Sequence, residues 1–207
     1  MIAIVDYGLG NIRAFANVYK KANMPYCIAS GARDLQKATS IILPGVGAFD
    51  QGMKMLCRSG MRETLDDLVL HRKIPVLGIC VGMQMLANSS EEGTESGLGW
   101  IGAEVKKIDT SALRHKPTLP HMGWNTVRHV EDNALFSGIG SGARFYFLHS
   151  YYFRCRDPKQ CCAVTDYGGE LPCAVHSGNV YGVQFHPEKS HHNGIRLLQN
   201  FGIARYA

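Results

Sequence analysis

No stretch of this 207-residue chain approaches the roughly 18 consecutive apolar residues of a bilayer-spanning helix, so none is expected. A basic leader is lacking too: Ile2 to Val5 runs straight into Asp6, which reads as a strand and not as a secretory signal. The seven cysteines (27, 57, 80, 155, 161, 162 and 173) are odd in number and include no CxxC pair. Neither a disulfide framework nor a zinc module is therefore expected, and reduced thiols in the cytoplasm are. Basic residues never run longer than Lys20-Lys21 or Lys106-Lys107, too sparse for a nucleic-acid stripe. With 22 basic and 17 acidic residues the net charge is +5, a mild excess spread over a solvated surface. The 23 glycines have no period, which excludes collagen-like and low-complexity chains. Gly8-Leu9-Gly10 follows a strand, but the third glycine of a dinucleotide fingerprint is absent, because position 13 is Arg13.

What is present is a pattern of short apolar runs between amphipathic ones. At 22.8 kDa the chain can bury about 70% of its extended surface, enough for one core and a single domain over 1–207. Ile2–Val5, Pro25–Ile28, Ser40–Leu43 and Pro75–Ile79 read as strands. Between them Ile12, Phe15, Ala16, Tyr19 and Ala22 recur at helical spacing, Asp34–Ala38 suggests a short helix, and Phe49–Arg72 a long one broken near Ser59-Gly60. Met83–Asn88 continues as helix. Strands separated by helices imply a parallel sheet covered on both faces, since parallel crossovers need a helix-sized connection. Later segments are strand-like: Val105–Ile108, Thr126–Val130, Phe145–Phe153, Cys162–Thr165, Cys173–His176 and Val180–Phe185, with a hairpin turn at Ser177-Gly178-Asn179 and a closing helix over Ile195–Arg205. The expected fold class is α/β, a central mainly parallel sheet flanked by helices with additional antiparallel strands in the C-terminal half.

The chemistry concentrates in three places. Gly78-Ile79-Cys80-Val81-Gly82 sits between an all-apolar strand and a helical segment, the thiol version of a nucleophile elbow. So tight a turn needs small residues on both sides, pushes Cys80 out at the carboxyl end of the sheet and sets its sulfur at a helix N-terminus. Taken alone, Cys80 reads equally as one more small buried apolar residue. Gln184-Phe185-His186-Pro187-Glu188 adds a partner: residues two apart in extended chain point the same way, so Glu188 can orient His186. Pro44-Gly45-Val46-Gly47 offers backbone N–H groups that, with that of Val81, can form an oxyanion hole.

Together these residues resemble the class I, triad-type glutamine amidotransferase family along essentially the whole chain. Within it the closest subgroup is the glutaminase subunit of imidazole glycerol phosphate synthase, on the strength of Asp6–Asn11, Pro44–Phe49, Pro120–Asn125, Tyr146–Tyr151 and His186–Ser190. The resemblance implies a flavodoxin-like core, with Cys80 as nucleophile, His186 as base and Glu188 as its orienting acid. It also implies glutamine contacts from Gln84, Ser150 and Tyr151, and oxyanion contacts from Gly47 and Val81. It implies a heterodimer with a (β/α)8-barrel cyclase that receives ammonia, faced by Met122, Trp124, Asn125, Tyr146 and Lys189. Trp124 reads equally well as core packing. No metal or organic cofactor is expected, and neither a nucleic acid nor a membrane is an expected partner. Two departures stand out: Val81 replaces the more usual leucine, and Lys116–Leu119 replaces a shorter step. Three rivals remain: a paralogous subunit supplying ammonia for amidination of a surface-polysaccharide sugar, a non-catalytic binding or scaffold protein on the same fold, and a partnerless thiol hydrolase of peptides or γ-glutamyl conjugates.

Overall fold

The computed structural model describes residues 1–111 and 118–203. Lys116 and Pro117, and the end of the expected closing helix at Arg205, lie outside them. Strand β1 (Ile2–Val5) leads through helix α1 (Ile12–Lys21) to β2 (Tyr26–Ala29), and β3 (Ser40–Gly45) is followed by α2 (Phe49–Arg58) and α3 (Arg62–Asp66). The break falls at Ser59-Gly60 as the sequence predicts, with Gly60 at a φ of +70°. The short helix expected over Asp34–Ala38 is a 3-10 helix over Ala32–Lys37, with Asp34 Oδ2 accepting the N–H groups of Ser30 and Gly31.

Strand β4 (Val76–Cys80) runs directly into the one-turn helix α4 (Val81–Gln84). The expected helix over Met83–Asn88 therefore begins earlier and ends sooner. Its last turn tightens, Leu86 N–H reaching the Met83 carbonyl, and the carbonyls of Met85, Leu86 and Ala87 accept from Leu98, Ile101 and Gly99. Next come β5 (Ser89–Ser90), β6 (Ala103–Lys107) and β7 (His121–His129). The run Phe145–Phe153 is not one strand but two, β8 (Ala143–His149) and β9 (Tyr151–Cys155). At Ser150 the chain changes sheets: His149 pairs with His121 on β7, whereas Tyr151 pairs with Lys107 on β6. Alternating apolar residues continue through the join, so the pattern hides it. Strands β10 (Cys161–Asp166), β11 (Glu170–Ser177) and β12 (Val180–Val183) and helix α5 (His191–Ile203) complete the order.

The nine-stranded sheet has the order β2-β1-β3-β4-β12-β11-β10-β7-β8, and β5-β6-β9 form a second, three-stranded sheet. From β2 to β12 neighbours are parallel; from β12 to β8 they are antiparallel. Every residue of β3, β4 and β12 is buried, as expected of central strands covered on both faces. Their register brings three chain ends together: Gly45 lies opposite Cys80, and Val183 opposite Ile79. No helix among the described residues is long and apolar enough to cross a membrane.

Candidate active site

Cys80 ends β4 with φ +56° and ψ −114°, a backbone conformation that non-glycine residues adopt at a cost of about 1–3 kcal/mol. The glycines around it explain how the turn closes. A Cβ on Gly82 would overlap the Leu43 carbonyl oxygen, one on Gly78 would lie 2.6 Å from the Gly82 oxygen, and one on Gly45 would lie 2.9 Å from the Val81 carbonyl carbon. The elbow thus packs backbone against the end of β3, where no side chain fits. Cys80 is 4% exposed, with its Sγ 3.9 Å from the Leu148 carbonyl and 3.9 Å from Gln184 Nε2.

His186 follows β12 and is held by its own N–H donating to the Tyr146 carbonyl at 2.8 Å. Its Nδ1 lies 2.9 Å from Glu188 Oε1, both side chains almost wholly buried. This leaves the other ring nitrogen for Cys80. Burial pulls the His186 pKa down, but hydrogen bonds and charge from Cys80 and Glu188 outweigh it and carry the value up to about 10. His186 is thereby held as the imidazolium near neutral pH. Among the described residues Glu188 Oε2 has no hydrogen-bond partner, and Oε1 makes the contact to His186.

The cavity above the sulfur measures about 330 Å³, ample room for a small amino acid. Cys80, His186, Gly47, Val81, Gln84, Ser150, Tyr151 and Lys189 all line it. Ser150 and Tyr151 reach it because the chain switches sheets at this point. Gly47, with φ +87°, follows the half-exposed Val46 on the strand-to-helix loop. Gln84 is buried; its Nε2 donates to the Tyr151 carbonyl at 3.2 Å and to Gln184 Oε1 at 3.1 Å.

Sequence reasoning assigned no role to three residues found here. Gln184 and His149 stand inside quoted motifs, next to residues that drew the attention. Glu92 lines the cavity and its Oε2 accepts the Phe49 N–H at the start of α2 at 2.8 Å. It lies in a loop with no periodicity, and nothing in its spacing marks it out. Among the described residues Glu131, Cys162 and His176 form the one grouping of potential metal ligands, and none of them lines this cavity.

Of the residues expected to meet a partner, Met122, Trp124 and Tyr146 sit on one face of the β7–β8 pair. Met122 and Trp124 are 65% and 37% exposed, and their cross-strand neighbours are Leu148 and Tyr146. Core packing of Trp124 is thereby overturned: its ring stacks on His191 at 5.0 Å and meets Tyr146 edge-on at 6.2 Å. Lys189 Nζ lies 5.7 Å over the Tyr146 ring. Asn125 is half-buried and turned to the other face, where it bonds to His121.

The model of the glutamine amidotransferase class-I family matches residues 4–204. The chain belongs to that family. Among curated amidotransferases it is 57% identical over 201 residues to the imidazole glycerol phosphate synthase subunit HisH of Bdellovibrio bacteriovorus, covering 97% of this chain and 98% of the relative. It is 53% identical, with the same coverage, to the protein of that name from Leptospira interrogans. A solved structure described as a glutamine amidotransferase superposes with a TM-score of 0.75 at 19% identity, covering 98% of this chain and 99% of the other, so the amidotransferase fold is shared.

Proposed function

We propose that this amidotransferase is the glutaminase subunit of an imidazole glycerol phosphate synthase. On this reading it hydrolyses L-glutamine to glutamate and ammonia, with Cys80, His186 and Glu188 as the catalytic triad. The observation that carries the reading is the strained Cys80 elbow meeting a buried, carboxylate-held His186 at the floor of one small cavity. The Cys80 thiolate attacks the side-chain amide carbon of glutamine. Backbone N–H groups of Gly47 and Val81 stabilise the oxyanion. Protonated His186 gives its proton to the departing nitrogen, so ammonia leaves and a thioester remains. Water, activated by the now neutral His186, breaks the thioester; glutamate leaves and the thiolate–imidazolium pair returns. A zwitterionic amino acid also needs an acceptor for its ammonium group, and the Glu92 carboxylate and Gln84 Oε1 are the acceptors at hand. No step requires a metal or organic cofactor.

Ammonia released into water near neutral pH is protonated and loses its nucleophilicity. A dry route into a partner avoids this. The partner proposed is a cyclase of (β/α)8-barrel form, docked on the exposed Met122–Trp124 face with Tyr146 and Lys189 beside it, whereas Asn125 is engaged on the other face by His121. The names carried by the relatives, at above 50% identity over nearly their whole length, support this pathway. Copurification tests it directly: the tagged chain is expected to retain the cyclase, and the pair to make imidazole glycerol phosphate from glutamine. The gene is also expected to complement a histidine auxotroph lacking its own glutaminase subunit. Retained glutaminase activity without complementation would instead favour amidination of a surface-polysaccharide sugar.

A further inference from the structure

Beneath the β7–β8 face lies a run of hydrogen bonds, centred on two buried rings, whose direction is fixed at every link. It ends at the Tyr151 carbonyl, which can only accept. His149 Nδ1, 2.8 Å away, must therefore carry a proton. In a neutral ring this makes His149 Nε2 an acceptor, so His121 Nδ1, at 2.9 Å, must also carry a proton. His121 Nε2 then accepts, and its partner at 3.1 Å is the amino group of Asn125, which can only donate. The Asn125 amide is set the same way round by its other contacts: Nδ2 donates to the Asp166 carbonyl at 2.8 Å and Oδ1 accepts the Thr126 N–H at 2.8 Å. Both rings are buried, and His121 stacks between Phe147 and Tyr167 with centroids 4.7 and 4.0 Å away. Desolvation holds both neutral, drawing the pKa of His121 down to about 4 and that of His149 to about 3.

The same Tyr151 carbonyl receives the Gln84 amide, whose second N–H goes to Gln184 Oε1. Both N–H groups of Gln84 are thus consumed, and Oε1 is what it presents to the cavity it lines. Gln184, its oxygen used, turns Nε2 toward the Cys80 sulfur.

We propose that His121 and His149 are positioning residues: as neutral Nδ1–H tautomers they pin the Tyr151 carbonyl, which orients Gln84 so that an oxygen faces the N–H donors of bound glutamine. The proposal deepens the glutaminase reading and rests on it. Uncharged rings are needed for it to hold. An imidazolium at His149 would turn Nε2 into a donor against His121 and break the chain from Asn125.

Two measurements test it. Nitrogen-15 NMR of the histidine-labelled full chain, assigned with His121→Phe and His149→Asn, is expected to show two Nδ1–H neutral rings from pH 6 to 8. Either ring found as the Nε2–H tautomer, or as imidazolium, overturns the proposal. Glutamine kinetics of the chain complexed with its cyclase supply the second. His149→Asn retains a donor near the Nδ1 position and is expected to keep KM within about threefold, whereas His149→Leu raises KM about tenfold or more with a smaller change in kcat. Should His149→Leu fail to fold, His121→Phe, which keeps the stacking but leaves His149 Nε2 unpaired, is expected to raise KM several-fold. Equal KM values for the donor-bearing and donor-lacking variants overturn the positioning role. A wild-type complex without glutamine hydrolysis would instead defeat the glutaminase reading, leaving the tautomer result to stand separately.

Discussion

Cys80 combines two features that a merely structural cysteine would not need: a positive φ and a sulfur at the wall of an open cavity. Cys80→Ala removes the proposed nucleophile and is expected to lower glutamine hydrolysis by at least about a thousandfold, while synthase activity of the complex fed with ammonium salts persists. Loss of both activities would assign Cys80 a structural role. The His186–Glu188 pair makes a separate prediction. Because Cys80 and Glu188 together raise the folded imidazole to about 10, against near 6.5 unfolded, their stabilisation of the fold is fully present below pH 6.5 and is lost as pH rises through 10, Glu188 supplying part of it. The difference in urea midpoint between wild type and Glu188→Gln is therefore expected to shrink between pH 6.5 and 10; a constant difference contradicts the pairing. At this scale the sequence was legible where spacing encodes geometry, as with the two glycines around Cys80; His186 and Glu188 do meet, but through a 3-10 turn over Pro187–Lys189 and not through the extended chain expected. Glu92 was illegible because a loop carboxylate has no period, and only tertiary contact with the start of α2 brings it to the cavity.

Between elements, the close approach of α4 to the end of β3 governs the site. Gly82→Ala would push a methyl group into the Leu43 carbonyl, and is expected to destabilise the protein by about 3 kcal/mol, lowering the melting temperature by about 6–12 °C. Gly140→Ala, where nothing lies within 4 Å, is the control and should melt within about 2 °C of wild type. Similar melting of the two variants would show that the elbow relaxes freely. The parallel half of the sheet was readable because each of its strands is a continuous apolar run set off by helix or turn signals. The β8–β9 join was not. Both strands alternate, and the choice of partner at Ser150 depends on β6 and β7, which are distant in the chain. The early start of α5 at His191 was missed for a related reason: Gly194 packs against the Pro187 carbonyl, a tertiary contact that periodicity cannot register.

For the molecule as a whole, sparse charge and one exposed aromatic face describe how it meets others. Trp124→Ala is expected to weaken binding to the cyclase by about tenfold or more in calorimetric titration, with the melting temperature of the free chain little changed. Unaltered affinity would move the docking surface elsewhere. Acid is expected to weaken the fold through His121 and His149. Their folded pKa values lie below the unfolded value, so the stability they contribute is present above pH 6.5 and is lost as pH falls toward 4 and 3. Chemical denaturation at pH 7 and pH 5 should show a smaller loss in His149→Asn than in wild type. The class of fold was legible in composition and strand–helix alternation, whereas the exposure of Trp124 was not, since an aromatic residue in a strand reads the same on either face.

The ladder joining β4 to β12 has a consequence for biosynthesis. Cys80 leaves the ribosome early, but His186 reaches it only after β12 has slotted between β4 and β11. A nascent or truncated chain therefore carries its sulfur without a proton acceptor beside it. With the proposed triad, glutamine hydrolysis is therefore expected only once β12 has docked between β4 and β11.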